Sequence, residues 1–488
     1  MKFKLTSLEK KWVWYDVGNS AFTLLVSTLI PIFFSLIAGD SEASATVYLG
    51  YATSIATAVV ALLGPVLGAA SDLRGMRRKI FSAALLVGAL GCAVLGFIGH
   101  WVWFLALFVL AKSAYSISLV VYDSMLCDIT TKDRMDEVSS RGYAWGYIGS
   151  CLPFILCVVV YVLYDPSMVG VLSLTPAMII IFLLTAAWWV ACSFPLWKSY
   201  RQTRFVEPGS HPVRAGLRSL GGTFREIGRK KHILFFLIAF FFFIDGVYTI
   251  IDLAVAYGTD LGLDSAMLLL ALLVTQVVAF PAAILLGMLS RKVRPEILIL
   301  VCISAYFCIT VYAIFLNAIY EFWILAVCVG LFQGTIQAMS RSYYAKIIPQ
   351  EKTGEYFGVY DIFGKGASFM GTFLVALVAD ITGRENLGVG ALAVMFLIGL
   401  ALFLVAVRFR RQVEAALPAG ADGALPPAES ALPCASSAEG ASFPAAGSPE
   451  NVGTAEDPDP ERGGPSAPCG DAGCHGENRQ RAGSRPAA

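Results

Sequence analysis

The sequence predicts an all-α membrane protein with twelve transmembrane helices arranged as two sets of six. Of its 488 residues, 57% are hydrophobic and 15% charged, with a mean hydropathy of +0.69; soluble domains carry about 25% charged residues. The apolar residues gather into runs close to the roughly 20 residues that a helix needs to cross hydrocarbon. Lys and Arg alternate strictly between the loops that join those runs.

The first six runs are Trp12 to Ala38, Thr46 to Ala70, Ile80 to Gly99, Trp101 to Tyr122, Tyr143 to Tyr164 and Val171 to Pro195. A second six follow at His232 to Tyr257, Ser265 to Leu289, Glu296 to Leu316, Glu321 to Met339, Tyr356 to Asp380 and Gly388 to Val407. The first run, followed by Ala43-Ser44-Ala45, mimics a signal peptide, but it is too long for a signal core and contains Asp16, so it reads as a span. Basic residues fall in the N-terminus (Lys4, Lys10, Lys11) and in the loops holding Arg74 to Lys79, Lys132 to Arg141, Lys198 to Lys231, Arg291 to Arg294 and Arg341 to Lys352, then after the last run. Among the opposite loops only Arg384 is basic. By the positive-inside rule both termini are cytoplasmic, and the chain is expected in a bacterial-type inner membrane.

The basic loop 197–231 separates an N-terminal half, residues 1–196, from a C-terminal half, residues 232–408. Two echoes support duplication. Asp16-x-x-Asn19-Ser20 resembles Asp245-x-x-Tyr248-Thr249, and Ile129-x3-Asp133-Arg134 resembles Ile347-x3-Glu351-Lys352. Such parallel repeats characterise transporters that rock two halves about a midplane site. Residues 409–488 turn to Ala, Pro, Gly and Ser and predict a disordered tail.

Between the second and third spans lies Gly68-Ala-Ala-Ser-Asp72-Leu-Arg-Gly75-Met-Arg77-Arg78-Lys79. It resembles the loop signature of the major facilitator superfamily and reads as a latch. Gly68 permits close helix approach, Asp72 can accept from an arginine or a helix N-terminus across the bundle, and the basic cluster can anchor at anionic headgroups. The corresponding Gly287-Met-Leu-Ser-Arg291-Lys292 carries Arg in place of Asp, so the latch is asymmetric. Four further blocks resemble the vacuole-effluxer-like branch of that superfamily. They are Trp14-Tyr15-Asp16-x-x-Asn19-Ser20-Ala21-Phe22, Val138 to Gly149, Gln333-Gly334-x-x-Gln337-Ala-x-Ser340-Arg341-Ser342, and Phe357-Gly358-Val-Tyr360-x3-Gly364-Lys365. The resemblance covers about residues 12 to 408 and implies a major facilitator fold with export of neutral amino acids. Lys112 and Asp123 depart from it, standing where the branch has uncharged polar residues.

Ionisable groups at membrane depth are functional candidates because burying them is costly. At 1.5 Å per residue, Lys112 lies about 16 Å inside the fourth span; Asp245 and Lys365 reach similar depth, with Gln276 and Gln333 as neutral companions. By analogy with the fold, spans one, four, seven and ten line the cavity. Asn19, Lys112, Asp245, Gln333, Gln337 and Lys365 are therefore the candidate substrate or ion ligands. Asp16, Gly68, Asp72, Gly75, Arg77, Arg78, Arg341 and Asp361 are the candidate latch and gate. Plain structural readings compete: Asp361 with Lys365 at i,i+4 as an ion pair, Lys112 with Asp245 as a bolt, Asn19 and Gln337 as interhelical glue, and interfacial solvation for Asp16 and Arg341.

The remaining features exclude other functions. No Walker loop, His-Glu-x-x-His or Gly-x-Ser-x-Gly occurs, so neither ATP-driven transport nor hydrolysis is predicted and the chain is expected not to be an enzyme. The formal charge of +1 gives no basis for nucleic-acid binding. No cofactor is expected, and no metal, since Cys469-x4-Cys474-His475 fits no four-ligand zinc spacing. The expected partners are the bilayer, a small solute such as an amino acid or other carboxylate, and protons, with the chain a monomer. A non-transporting sensor or scaffold of the same fold is the rival reading. Reporter fusions should place both ends and the 197–231 loop in the cytoplasm, and removal of the residues after Gln412 should leave insertion nearly unchanged.

Overall fold

The computed structural model describes residues 3–39, 42–166, 168–207, 212–260, 265–315, 318–365 and 368–416. The stretch from 417 onward, including the Cys469, Cys474 and His475 cluster, lies outside the described residues. Nearly all of the described chain is helix. α1 (Ser7–Ser27) and α2 (Leu29–Ala38) form the first span, α3 (Glu42–Ser71) the second, α4 (Met76–Leu95) the third and α5 (Trp101–Ile129) the fourth. α6 (Met135–Tyr164) and α7 (Leu174–Ser199) complete the first six. After α8 (Pro212–Arg229), in the central loop, come α9 (Lys231–Asp260), α10 (Ser265–Leu289), α11 (Pro295–Ala313) and α12 (Ile319–Ile347). α13 (Thr353–Lys365), α14 (Ser368–Thr382) and α15 (Glu385–Ala416) follow. Among the described residues, eleven stretches are long and apolar enough to span a membrane, and the bent α1/α2 pair makes twelve.

Local chemistry explains the ends and the bends. Thr6 opens α1 with a capping box, its hydroxyl accepting from the Glu9 amide while the Glu9 carboxylate accepts from the Thr6 amide at 2.7 Å. The first span bends by 42° between α1 and α2. Pro31 cannot donate to the Ser27 carbonyl four residues back and its ring crowds that oxygen, so the helix breaks there. Gly75 enters α4 with φ of +73°, a left-handed conformation that leaves this turn to glycine.

Several helices extend past the apolar runs. α5 continues through Asp123 and Asp128, α6 begins at Met135 and α12 runs to Ile347, because the polar residues of these extensions are buried and paired rather than solvated. α15 likewise passes residue 408, where the second half was expected to end and the disordered tail to begin, and stays helical to Ala416. Arg410 holds that extension by ion pairs to Glu296 at 3.1 Å and Glu414 at 2.8 Å.

Each half packs around its own aromatic cluster. In the first, Trp12 stacks on Tyr122 and Phe22 on Trp189; in the second, Phe240 stacks on Tyr360, which stacks on Tyr344. The halves meet along α3 against α13 and α6 against α10. Glycine sets the first of these seams. A Cβ on Gly68 would collide with the Gly354 carbonyl, and one on Gly358 would lie 2.5 Å from the Pro65 Cα. Gly358→Val should therefore cost about 1–3 kcal/mol and lower the thermal unfolding temperature in detergent. Gly50→Ala, in the same helix pair but facing open space, should leave it unmoved or slightly raised.

Candidate functional site

The face carrying the N-terminus and the central loop, here the basic face, is where the charged residues of the two halves converge. The latch begins with Asp72, directly after α3. Its two carboxylate oxygens accept from the backbone amides of Gly354 (2.7 Å) and Glu355 (2.8 Å), in the first turn of α13. An acidic group from one half thus caps a helix of the other, where unpaired N–H groups and the helix dipole favour a negative charge. Arg77 reaches the same carboxylate, the Asp128 carboxylate at 2.6 Å and the Thr353 hydroxyl at 2.9 Å. Burial pushes the Asp72 carboxyl up to about 6 despite the opposing pull of Arg77 and the two amides.

The basic cluster corrects one expectation. Arg77 does not reach out to headgroups: it is fully buried between Asp72 and Asp128. Arg78 and Lys79 are exposed, and Arg78 lies over the Trp197 ring at 5.0 Å. Asp128, absent from the sequence-based candidates, is the hub of this corner. It also accepts from the Tyr200 hydroxyl, the Thr203 hydroxyl (2.8 Å) and the Arg204 amide (3.0 Å), tying down the strand-like segment that follows α7. Gln202 in that segment accepts from the Gly75 amide at 2.9 Å, and Leu73 bridges to Val206. One signal could have revealed Asp128. A carboxylate in the last turn of a helix opposes the dipole and needs a dedicated cation.

The second cluster surrounds Arg341 of α12. Its Nη1 donates to Asp123 Oδ1 at 3.0 Å, its Nη2 lies 3.5 Å from Asp16 Oδ2, and its Nε donates to the Ser139 hydroxyl at 2.9 Å. Trp12, Tyr122 and Tyr143 flank the guanidinium, with ring centroids at 4.6, 5.6 and 4.4 Å. Asp16 and Arg341, for which interfacial solvation was the plain alternative to a gate, are 6% and 2% exposed, because the extended ends of α5, α6 and α12 enclose them. Asn19 donates to Asp16 at 3.3 Å, and a Cβ on Gly142 would strike the Asp16 carboxylate. Two flanking bridges join the halves: Asp136 to Ser342 (2.7 Å) and Lys346, and Glu137 to Arg291. Arg291 is the residue that makes the latch asymmetric, and it pairs with a carboxylate of the first half.

Away from this face, a cavity partly open to solvent lies within the second half, with about 840 Å³ of empty volume when that open space is counted. Ile250, Leu268, Phe322 and Leu325 are among its apolar walls, and Thr275, Gln276 and Gln333 supply its polar groups. The amide oxygens of Gln276 and Gln333 are buried without a hydrogen-bond partner among the described residues. The expectation of a cavity lined jointly by Lys112, Asp245 and Gln333 is not met in this conformation. Only Gln333 lines the cavity, since its walls come from α9 to α12 and α15. Lys112 is half-buried on α5 with its Nζ 5.6 Å from the Phe108 ring centroid, and Asp245 is buried on α9, accepting from Thr249 at 3.4 Å. Gln337 accepts from Tyr147 at 3.3 Å, and Asp361 pairs with Lys365 at 2.7 Å, as the i,i+4 spacing predicts.

Removing Arg77 leaves two buried carboxylates without their cation, whereas Arg78 makes a surface contact. Arg77→Ala should cost about 3–5 kcal/mol and Arg78→Ala about 0.5–1 kcal/mol, read from thermal unfolding in detergent.

The family described as "Vacuole effluxer Atg22 like" matches residues 35–416. The MFS-type transporter YxiO of Bacillus subtilis (strain 168) is 40% identical over 408 residues, covering 82% of this chain and 95% of YxiO. Autophagy-related protein 22 of Eremothecium gossypii is 25% identical over 389 residues, covering 72% of this chain and 75% of that protein. Among solved structures, the major facilitator transporter FucP in its outward conformation aligns with a TM-score of 0.64 at 12% identity, covering 82% of this chain and 97% of FucP. A bacterial homologue of the iron transporter ferroportin aligns at 0.57 and 13%, covering 83% and 98%. These structures establish the fold, and the sequence matches establish the family: the chain is a multi-pass membrane protein belonging to the Atg22-like vacuole effluxer family of major facilitator transporters.

Proposed function

We infer that the protein is a secondary transporter that moves a small solute by alternating access, its two six-helix halves rocking about a site near the midplane. The seal on the basic face carries this reading. Among the described residues, the ion pairs between the two six-helix halves lie there: Asp16 and Asp123 with Arg341, Glu137 with Arg291, and Asp136 with Lys346. The positive-inside rule makes that face cytoplasmic, so this conformation is closed toward the cytoplasm. The cavity lies toward the other face, where α11 ends at Ala313 and α12 begins before Phe322, and it reaches inward to Gln333. A seal at one end with a cavity toward the other is one limb of an alternating-access cycle.

The cavity's chemistry describes the solute. Aliphatic and aromatic walls suit an apolar group, and two unpartnered amide oxygens with the Thr275 hydroxyl suit a molecule that donates hydrogen bonds. Lys112 and Lys365 would serve a carboxylate, and Asp245 an amine, by exchanging their present partners once the halves move. An amino acid meets all of these demands. Export is the direction supported by the family's description as effluxers.

Counterflow in proteoliposomes with a pooled panel of amino acids and organic acids should reveal accumulation of an amine-bearing carboxylate. A folded, oriented protein that moves none of them would favour the sensor reading. Gln333→Leu and Gln276→Leu should still insert and unfold near the wild-type temperature while uptake of the identified solute falls about 10- to 100-fold, each lost hydrogen bond to a charged group being worth about 1.5–3 kcal/mol. For Lys112 and Asp245, the double replacement by Ala should fold yet fail to restore uptake. Recovery to wild-type transport would make the pair a structural bolt.

A further inference from the structure

The cavity of the second half offers a ligand one kind of polar group. Among its described lining residues none is charged, and its polar side chains are Thr275 and Gln276 of α10 and Gln333 of α12. The Thr275 hydroxyl spends its proton on the Ala271 carbonyl at 2.9 Å, so its oxygen has only lone pairs left to give. The amide oxygens of Gln276 and Gln333 are buried with no donor among the described residues, and Gln333 as a whole is 7% exposed. A buried acceptor without a donor is costly. A ligand seated here therefore gains by bringing donors and loses by bringing more acceptors.

Which end of a glutamine amide faces a ligand decides the sign of the site, because the NH2 group donates and the oxygen accepts. At Gln333 the other half makes that choice. Tyr147 of α6 lies against α12 at Gly334, where an added Cβ would stand 2.8 Å from its ring. Its hydroxyl donates to Gln337 Oε1 at 3.3 Å and also engages the Gln333 side chain. A hydroxyl has one proton; with that proton on Gln337, it can only accept from Gln333. The Gln333 NH2 is the group that donates, so it turns to Tyr147 and leaves Oε1 to the cavity.

Resting on the reading of this cavity as the solute site, we propose that it is a subsite for an ammonium group on an apolar chain, with Tyr147 as the positioning residue that holds the Gln333 oxygen toward that group. A primary ammonium carries three donors and no acceptor. A carboxylate brings acceptors alone and finds neither donor nor cation on these walls. The preference acts at hydrogen-bond range, since the walls carry no charge, and the side open to solvent keeps the ammonium partly hydrated, which limits its desolvation cost. The apolar chain lies against Ile250, Leu268, Phe322 and Leu325. In this conformation an amino acid enters amine first, with its carboxylate outside the cavity.

Three probes with the same five-carbon chain test this on the full protein in nanodiscs of zwitterionic lipid: pentylamine, which is charged at neutral pH, pentan-1-ol and hexanoate. Ala326→Cys places a thiol on the cavity wall, and its modification by methyl methanethiosulfonate, read at position 326 by peptide mass spectrometry, reports occupancy. Pentylamine should protect the thiol at a concentration about 10- to 100-fold below that needed with hexanoate, the factor that a hydrogen bond to a charged group supplies. Pentan-1-ol should fall between them. Tyr147→Phe keeps the ring against Gly334 and removes only the hydroxyl, which frees the Gln333 amide to turn over. The ratio between acid and amine should then shrink about tenfold, with the unfolding temperature near wild type. Lost packing alone would weaken all three probes together and leave the ratio unchanged. The proposal is overturned if none of the probes protects, if hexanoate or pentan-1-ol protects as well as pentylamine, or if Tyr147→Phe keeps the wild-type ratio. Should Ala326→Cys fail to fold, Ala271→Cys on α10 gives the same readout. Protection by pentylamine with no solute moved in counterflow would uphold the subsite and sink the transporter reading, and a moved solute with hexanoate preferred would do the reverse.

Discussion

A guanidinium cannot be left dry without partners, and this constraint organises the whole basic face. Arg77 and Arg341 are each almost fully enclosed by protein. Each must therefore find carboxylates and hydroxyls on neighbouring helices. Arg77 takes Asp72, Asp128 and Thr353, while Arg341 takes Asp16, Asp123 and Ser139. Because their partners come from both halves, satisfying these charges also closes the molecule on that side. Helix ends that would otherwise fray at the interface, such as those of α5, α6 and α12, stay helical because they carry these partners.

The same seal requires the backbones to approach closely. Asp72 reaches the amides of α13 only because Gly68 and Gly354 face each other without side chains, and Gly358 brings α13 against Pro65. Dispersion and small-residue contact provide the packing that a bilayer does not supply through the hydrophobic effect. The polar contacts then select one register. A seal built this way is closed or open with little between, since a carboxylate that leaves the first turn of α13 loses two charge-assisted hydrogen bonds together.

Much of this was legible in the sequence, for reasons that can be named. The spans could be read because lipid demands long apolar runs, and the Asp72 latch because its partners are a helix terminus and an arginine, both implied by residue type. The Asp361 and Lys365 pair followed from helical spacing alone. What could not be read were contacts between residues far apart in the chain. Depth along a span said nothing about enclosure, so interfacial solvation stayed open for Asp16 and Arg341, which the ends of other helices cover. Lys112, Asp245 and Gln333 share a depth, yet depth does not fix which side of the helix faces a cavity. Asp128 was missed because its partners, Arg77 at one helix start and Tyr200, Thr203 and Arg204 in the segment after α7, are far from it in the chain.

The two regions differ in kind, and that difference bears on how transport would be coupled. The cavity of the second half offers apolar walls and neutral amides, so a solute there meets little electrostatic pull. The charge lies instead at the seal, where Asp16 and Asp123 compete for Arg341. A transporter that kept charge and solute in one place would couple them by direct contact. Here they are separated along the membrane normal, so coupling has to pass through the equilibrium between open and closed halves. The solute biases that equilibrium from the cavity and the ion pairs bias it from the seal, each through its own difference in free energy between the two states. Reciprocity then requires that a solute favouring the closed basic face also strengthen the ion pairs at the seal, with no contact between them.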